Sequence, residues 1–183
     1  MFSLICLVYA VFLNPEKILD QLDLKPDMIA AEFGCGSGSF VLALAKRLTE
    51  GLVYGLDIQK APLSALKGRM VLENITNVQL ICCDLEKPRG STLSNSSLDL
   101  VLVPNILFQA EDKNAIIKEA ERVLKNNGEL VIIEWLPQSS QGPTEGRIPP
   151  EEIKKMAEKN GFKMKKELNA GIYHYGLVFK KSL

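Results

Sequence analysis

The chain is sparing with the residues that most often mark a reactive or metal-binding site: in 183 residues it has one histidine, one tryptophan and four cysteines. The cysteines, Cys6, Cys35, Cys82 and Cys83, have the spacing of neither a zinc knuckle nor a secreted disulfide framework, so no metal ligands are assigned. They read as small core residues in a reducing compartment, which makes a cytoplasmic location the expectation. No charge is in excess either. Acidic and basic residues balance at 22 each, so nothing would condense the chain onto a phosphate backbone, and nucleic acid is an unfavoured partner. A second domain has no room at this length. What remains, with 46% apolar and 24% charged residues, is enough for one globular domain with a real core.

The first segment, Met1 to Leu13, is apolar throughout, but no Lys or Arg precedes the run and it falls short of the ~20 residues a membrane-spanning helix needs. A short helix or strand laid over the domain is expected there, with membrane association the less favoured reading. Asn14-Pro15-Glu16 then opens a helix, with Asn as N-cap and Pro in the first turn, running to about Leu22. This divides the chain into an apolar segment with a capping helix over 1–27 and the main domain over 28–183.

The most informative stretch is Met28 to Ser39, MIAAEFGCGSGS. An apolar strand ends in Glu32, and glycines follow at alternate positions, Gly34, Gly36 and Gly38. A strand that reverses into a helix within a few residues needs backbone angles closed to residues with a Cβ, and a ligand pressed on the turn needs those Cβ atoms absent. Phe40, Val41, Leu44, Ala45 and Leu48 then form a 3.6-residue stripe, so a helix follows with its N-terminus aimed at the ligand. In a G-x-G-x-x-G loop for NAD the third glycine would stand at the position held here by Ser39. Cys35, inside the loop, reads as a compact side chain facing the interior rather than as a nucleophile.

Beyond the loop, the pattern predicts strands over Leu52 to Asp57, Val78 to Cys83 and Leu98 to Val103, and helices over Ala61 to Leu72 and Asp112 to Lys125. Asn126-Asn127-Gly128 should close the last of these before a strand over Glu129 to Trp135. Alternation of this kind demands an α/β fold, a doubly wound, mostly parallel sheet with right-handed crossovers. Pro137 to Pro149 should be a loop, Pro150 to Asn160 a helix ended by Gly161, and Phe162 to Leu168 and Tyr173 to Lys180 two strands. Joined by Asn169-Ala170-Gly171, these two must be antiparallel, so the sheet ends in a hairpin.

Ligands of such sheets bind outside the carboxyl ends of the strands. Those ends are Glu32 and Gly34, then Asp57, then Asp84, then Pro104 and Asn105. Asp57, nineteen residues beyond Gly38, has the spacing at which an acid accepts hydrogen bonds from ribose hydroxyls. With Glu32, Gly34, Gly36, Gly38, Asp57, Asp84, the strand from Asp99 to Asn105 and the closing hairpin, the chain resembles class I S-adenosylmethionine-dependent methyltransferases. Within that class it is most similar to the small-molecule type related to the ubiquinone and menaquinone biosynthesis methylases. The resemblance implies S-adenosylmethionine as cofactor, with Gly34 to Gly38 and Cys35 along its methionine part and Asp57 and Ile58 at the ribose end of strand two. It further implies that Asp84 bonds the adenine amino group, that Leu85 packs on the ring, and that Pro104 and Asn105 close the site.

Methyl transfer from a sulfonium is an in-line displacement whose leaving group is already activated, so alignment is the protein's main task. A dedicated catalytic residue need not exist. If the acceptor must lose a proton, Glu134 at the end of strand five and His174 in the hairpin are candidate bases. A lone histidine such as His174 is more often a partly buried structural residue, and Trp135 either lines an acceptor pocket or closes the core beneath the long loop. Enzymes that methylate exocyclic amines of bases carry a second proline and an aromatic ring after strand four. Val103-Pro104-Asn105-Ile106 has neither, so a small-molecule acceptor is expected. An NAD(P)-dependent oxidoreductase is opposed by the glycine spacing and the hairpin, and a binding protein of the same fold without turnover is the third reading.

Overall fold

Strands that are apolar on both faces have to be covered on both, and that requirement builds the molecule. The computed structural model describes residues 13–182. In chain order the elements are α1 (Pro15–Leu19), β1 (Ile29–Phe33), α2 (Ser39–Arg47), β2 (Leu52–Asp57), α3 (Lys60–Leu72), β3 (Val78–Cys82) and β4 (Leu98–Pro104). After a short 3-10 turn at Leu107–Gln109 come α4 (Lys113–Val123), β5 (Leu124–Trp135), α5 (Pro150–Lys159), β6 (Phe162–Leu168) and β7 (His174–Lys181). The strands form one sheet in the order β3-β2-β1-β4-β5-β7-β6. β1 to β5 pair in parallel, and β7 lies antiparallel between β5 and β6. The direction of winding reverses between β1 and β4, so the crevice at their carboxyl ends is where this topology places a ligand.

One face of the sheet, with Ala30, Leu100, Leu102, Val131, Ile133 and Val178, is covered by α1, α2 and α3. The other, with Ala31, Phe33, Val101, Val103, Ile132 and Phe179, is covered by α4 and α5. The caps follow from sequence. Asn14 accepts from Lys17 N at 3.1 Å and Asp112 from Ala115 N at 2.9 Å. Among the described residues no helix is long and apolar enough to cross a membrane, and no cluster of His, Cys, Asp and Glu could hold a metal. Nearly all of the apolar segment, Met1 to Phe12, lies outside the described residues; Leu13, its last residue, is buried in the core.

Three expectations are corrected. α1 stops at Leu19, after which backbone N–H groups of Gln21 and Leu22 bond carbonyls three residues back and the chain leaves in a turn. The helix expected to reach Lys125 stops at Val123, because Leu124 is already paired with Leu98 in the sheet. Asn127 takes a positive φ of 65° within a register shift before regular pairing resumes at Glu129. Cys82 is exposed and Cys83 half-buried rather than both in the core, because β3 is an edge strand.

Candidate functional site

The three glycines of the β1–α2 loop all have positive φ, 72°, 51° and 82°, but their missing Cβ atoms serve different ends. A Cβ on Gly34 would stand 2.1 Å from Ile106 Cγ2, and one on Gly38 2.3 Å from Leu66 Cδ1. Those two glycines let the turn after β4 and helix α3 close on the loop. A Cβ on Gly36 would meet nothing within 4 Å. Gly36 is therefore the glycine whose bare backbone faces open space, at the crevice between β1 and β4. Cys35 points inward, with its sulfur 3.2 Å from where a Cβ of Gly55 would sit, and burial beside Glu32 and Asp57 pushes its thiol pKa up. A buried, protonated thiol is no nucleophile.

Gly38, the N-cap of α2, has no side chain to cap with, and Glu32 does this work from the neighbouring strand by accepting from Val41 N at 2.8 Å. Glu32 is buried, and desolvation pushes its carboxyl pKa well up, with the nearby Asp57 adding to the effect. Asp57 receives Gly36 N on one oxygen and Gln59 N on the other, both at 2.8 Å. Each oxygen keeps a lone pair for a further donor. Next to it Ile58 is 63% exposed, an apolar side chain held out at the end of β2. Asp84 caps its own turn by accepting from Glu86 N at 3.0 Å, and Leu85 after it is buried in the core. Two strand-end acids, Asp57 and Asp84, an open glycine and a presented apolar side chain, set side by side along β1, β2 and β3, fit a cofactor that carries an adenosine, while Glu32 braces the loop from behind.

The other half of the same edge is built differently. Asn105, at a φ of 54° past the end of β4, continues the ladder by donating its N–H to Ile133 O at 2.8 Å. Its side-chain Nδ2 lies 3.1 Å from His174 Nε2. Because β7 runs antiparallel, its first residue His174 falls beside Trp135 at the end of β5, their ring centroids 4.0 Å apart. His174 is 2% exposed, and burial pulls its pKa down to about 4, so the imidazole is neutral. Glu134 pairs with Tyr175 rather than His174, and alternation along the strand turns it to the opposite face. There one carboxylate oxygen receives Leu107 N at 2.7 Å and Phe108 N at 3.3 Å, tying down the turn after β4. Burial raises its pKa to about 7. The two candidate bases thus stand on opposite faces of the sheet.

The loop after β5 covers Trp135: a Cβ on Gly142 would lie 2.5 Å from the indole ring. Arg147, which the sequence reading did not single out, organises this loop. Its guanidinium donates to the carbonyls of Pro137, Ser139, Gln141 and Pro143 at 2.6 to 3.1 Å. A lone arginine in a Ser/Gly/Pro-rich loop is the only sequence signal for this. Gln21 likewise carries no local signal in the sequence. Its amide bonds both N and O of Asn169 and clamps the hairpin turn to the segment after α1.

Comparison with known proteins places this arrangement in a family. The profile described as "Methyltransferase domain" matches residues 24–174. A demethylmenaquinone methyltransferase of Bacillus mycoides is 28% identical over 135 residues, 73% of this chain and 55% of its own length. The chain thus spans about half the length of the curated relatives it matches, or less. Among solved structures, a SAM-dependent methyltransferase from Aquifex aeolicus superposes with a TM-score of 0.84 at 22% identity, over 93% of this chain and 91% of that one. A putative type 11 methyltransferase from Sulfolobus solfataricus gives 0.73 at 26% identity, over 94% of each. With the glycine loop, the strand order and the closing hairpin already in place, the match over 24–174 settles the family: the chain belongs to the methyltransferase domain family, within the class I S-adenosylmethionine-dependent methyltransferases.

Proposed function

We propose that the protein transfers a methyl group from S-adenosylmethionine to a small-molecule acceptor, and that it does so in the cytoplasm, where its unpaired thiols stay reduced. The observation that carries this is the run of groups along β1 to β3. Gly36 leaves room for the methionine part, Asp57 retains lone pairs for two ribose hydroxyls, Ile58 offers the adenine an apolar face, and Asp84 accepts its amino group. Glu32 and Cys35 support the loop from behind, Leu85 backs the adenine side, and Pro104 and Asn105 close the far wall. When bound, the cofactor would supply a methyl group already activated by its sulfonium, to be taken by an acceptor lone pair with sulfur as the leaving group.

The chain's own contribution is alignment and charge. An acid near a sulfonium or ammonium stabilises it by about 4 kcal/mol at close range in a medium of intermediate dielectric. Residues 28–183 are the unit that does this, with Leu13 and α1 packed over one face of its sheet. Glu134, locked to the turn after β4, and His174, kept neutral by burial, are poorly placed to act together as base and proton relay. Calorimetry with S-adenosylhomocysteine and, separately, with NADH tests the reading. Heat with the first and none with the second is expected; heat with NADH alone would replace it with an oxidoreductase. Tritium from labelled S-adenosylmethionine should then appear on an extracted metabolite, and its persistent absence would point to a binding protein without turnover.

A further inference from the structure

Two buried carboxyl groups close two turns of this molecule in the same way. Helix α2 starts at Gly38, which has no side chain to cap with, and Glu32 of β1 accepts Val41 N in its place. The 3-10 turn at Leu107–Gln109 starts after Ile106, whose side chain cannot cap either. Here Glu134 of β5 does it, one carboxylate oxygen accepting Leu107 N at 2.7 Å and Phe108 N at 3.3 Å. Glu32 bears on the glycine loop directly. Glu134 bears on it through one side chain.

That side chain is Ile106. Its neighbours on both sides are tied to β5: Asn105 donates its N–H to Ile133 O, and Leu107 donates its own to Glu134. Between these anchors, Ile106 Cγ2 stands where a Cβ on Gly34 would be, pressed on the glycine loop from the β4 side. From the β2 side the loop is held by Cys35 N on Leu56 O and Gly36 N on Asp57, both at 2.8 Å. Gly36, with its open space, is therefore set from two directions. The β4 side does not hold itself. Asn105 sits at a φ of 54°, a left-handed conformation that persists where the surroundings enforce it. Without an acceptor for Leu107 N, which would be left buried and unpaired, the turn relaxes and Ile106 withdraws from Gly34.

We propose that Glu134 is a positioning residue for the cofactor: by anchoring Leu107 and Phe108 it seats Ile106 against Gly34, and so sets how tightly the glycine loop holds S-adenosylmethionine. The inference rests on the reading of that loop as the cofactor site.

Glu134→Met keeps the length of the side chain and removes the acceptor, and Glu134→Gln restores an acceptor. Val123→Ala is the control, a truncation in the same core at the other end of β4, where Ser97 N bonds Val123 O. Calorimetric titration with S-adenosylhomocysteine should show Glu134→Met about tenfold weaker than the parent and Glu134→Gln within about threefold. Val123→Ala should bind within about twofold, although truncating a buried valine lowers stability. In the unsubstituted protein the coupling is reciprocal, so saturating S-adenosylhomocysteine should slow hydrogen exchange at the Leu107 and Phe108 amides about tenfold more than at Ser97. That measurement carries the test should Glu134→Met fail to fold. Equal affinity of Glu134→Met and parent overturns the proposal, as does a glutamine variant as weak as the methionine one. A Val123→Ala loss as large as that of Glu134→Met, or exchange at Leu107 and Phe108 that slows no more than at Ser97, overturns it too. A parent protein that does not bind S-adenosylhomocysteine would sink the cofactor reading instead, so the two failures are distinct.

Discussion

The two halves of the sheet's carboxyl edge differ in polarity, one lined by acids and the other by uncharged groups. Over β1, β2 and β3 stand Glu32, Asp57 and Asp84, while over β4, β5 and β7 stand Asn105, Trp135 and a histidine kept neutral by burial. The only acid at the end of β5, Glu134, is rotated to the far face and tied to a turn. The contrast makes physical sense for a reaction that brings a cation to a nucleophile. On the proposed cofactor site, Asp57 and Asp84 would draw the cationic cofactor in, whereas a carboxylate on the other side would compete with the acceptor for it and could itself be alkylated.

The glycines separate packing from ligand space most sharply. Gly34→Ala puts a methyl group 2.1 Å from Ile106 and forces a positive φ, so a loss of about 3 to 4 kcal/mol in unfolding free energy is expected, with Gly38→Ala close behind through Leu66. Gly36→Ala meets no protein atom. It should cost only about 1 kcal/mol in urea unfolding, the backbone penalty alone, yet lose most of its affinity for S-adenosylhomocysteine. Equal stability losses at all three positions would contradict the division between packing and binding glycines.

Glu134 tests whether the second half really avoids charge. Burial raises its carboxyl from 4.5 to about 7. The folded state therefore holds a proton that the unfolded chain has released. The stability this brings is fully present below about pH 4.5 and is lost as pH rises through 7, by an upper limit of about 3 kcal/mol. Glu134→Gln keeps an oxygen for Leu107 and Phe108 and removes the titration, so its melting temperature should match the parent near pH 5 and exceed it at pH 8.5. A variant less stable than the parent at both pH values would show the charge to be favourable, and the neutrality of that half would fall.

The strand ends and glycine turn on which the proposed cofactor site stands were legible because their signals are local. A glycine at alternate positions, or an acid one residue past an apolar strand, is a pattern within a few residues, and the topology of doubly wound sheets converts strand ends into a site. The other half depends on contacts the sequence does not advertise. Asn105 and His174 are 69 residues apart and meet only because β7 inserts between β5 and β6. Likewise Arg147 bonds backbone carbonyls, which leave no mark in side-chain composition. Cys82 misled for a related reason: its apolar neighbours predict a strand, but whether that strand is central or at the edge is a property of the sheet order. Glu134 and His174 could be named as candidates from their positions, but that they face opposite ways follows from the β5–β7 register alone.

Within the acidic half, Asp57 and Asp84 should differ in weight. Asp57 is buried and serves the loop as well as the ligand, so Asp57→Ala removes the acceptor for Gly36 N and Gln59 N together with the proposed ribose contacts. A fall of about thirtyfold in S-adenosylhomocysteine affinity is expected, about 2 kcal/mol. Asp84 is about one-third exposed, with Lys87 3.9 Å away, and water screens what it contributes. Asp84→Asn keeps a side-chain oxygen able to cap Glu86 N, so the fold should not respond. The loss should be about threefold in affinity. It should also be confined to ligands that carry the adenine amino group, so an inosine analogue of S-adenosylhomocysteine should bind parent and variant alike. If the variant weakens both ligands equally, Asp84 contributes general charge rather than a bond to the base, and the acidic half would be an undifferentiated electrostatic well.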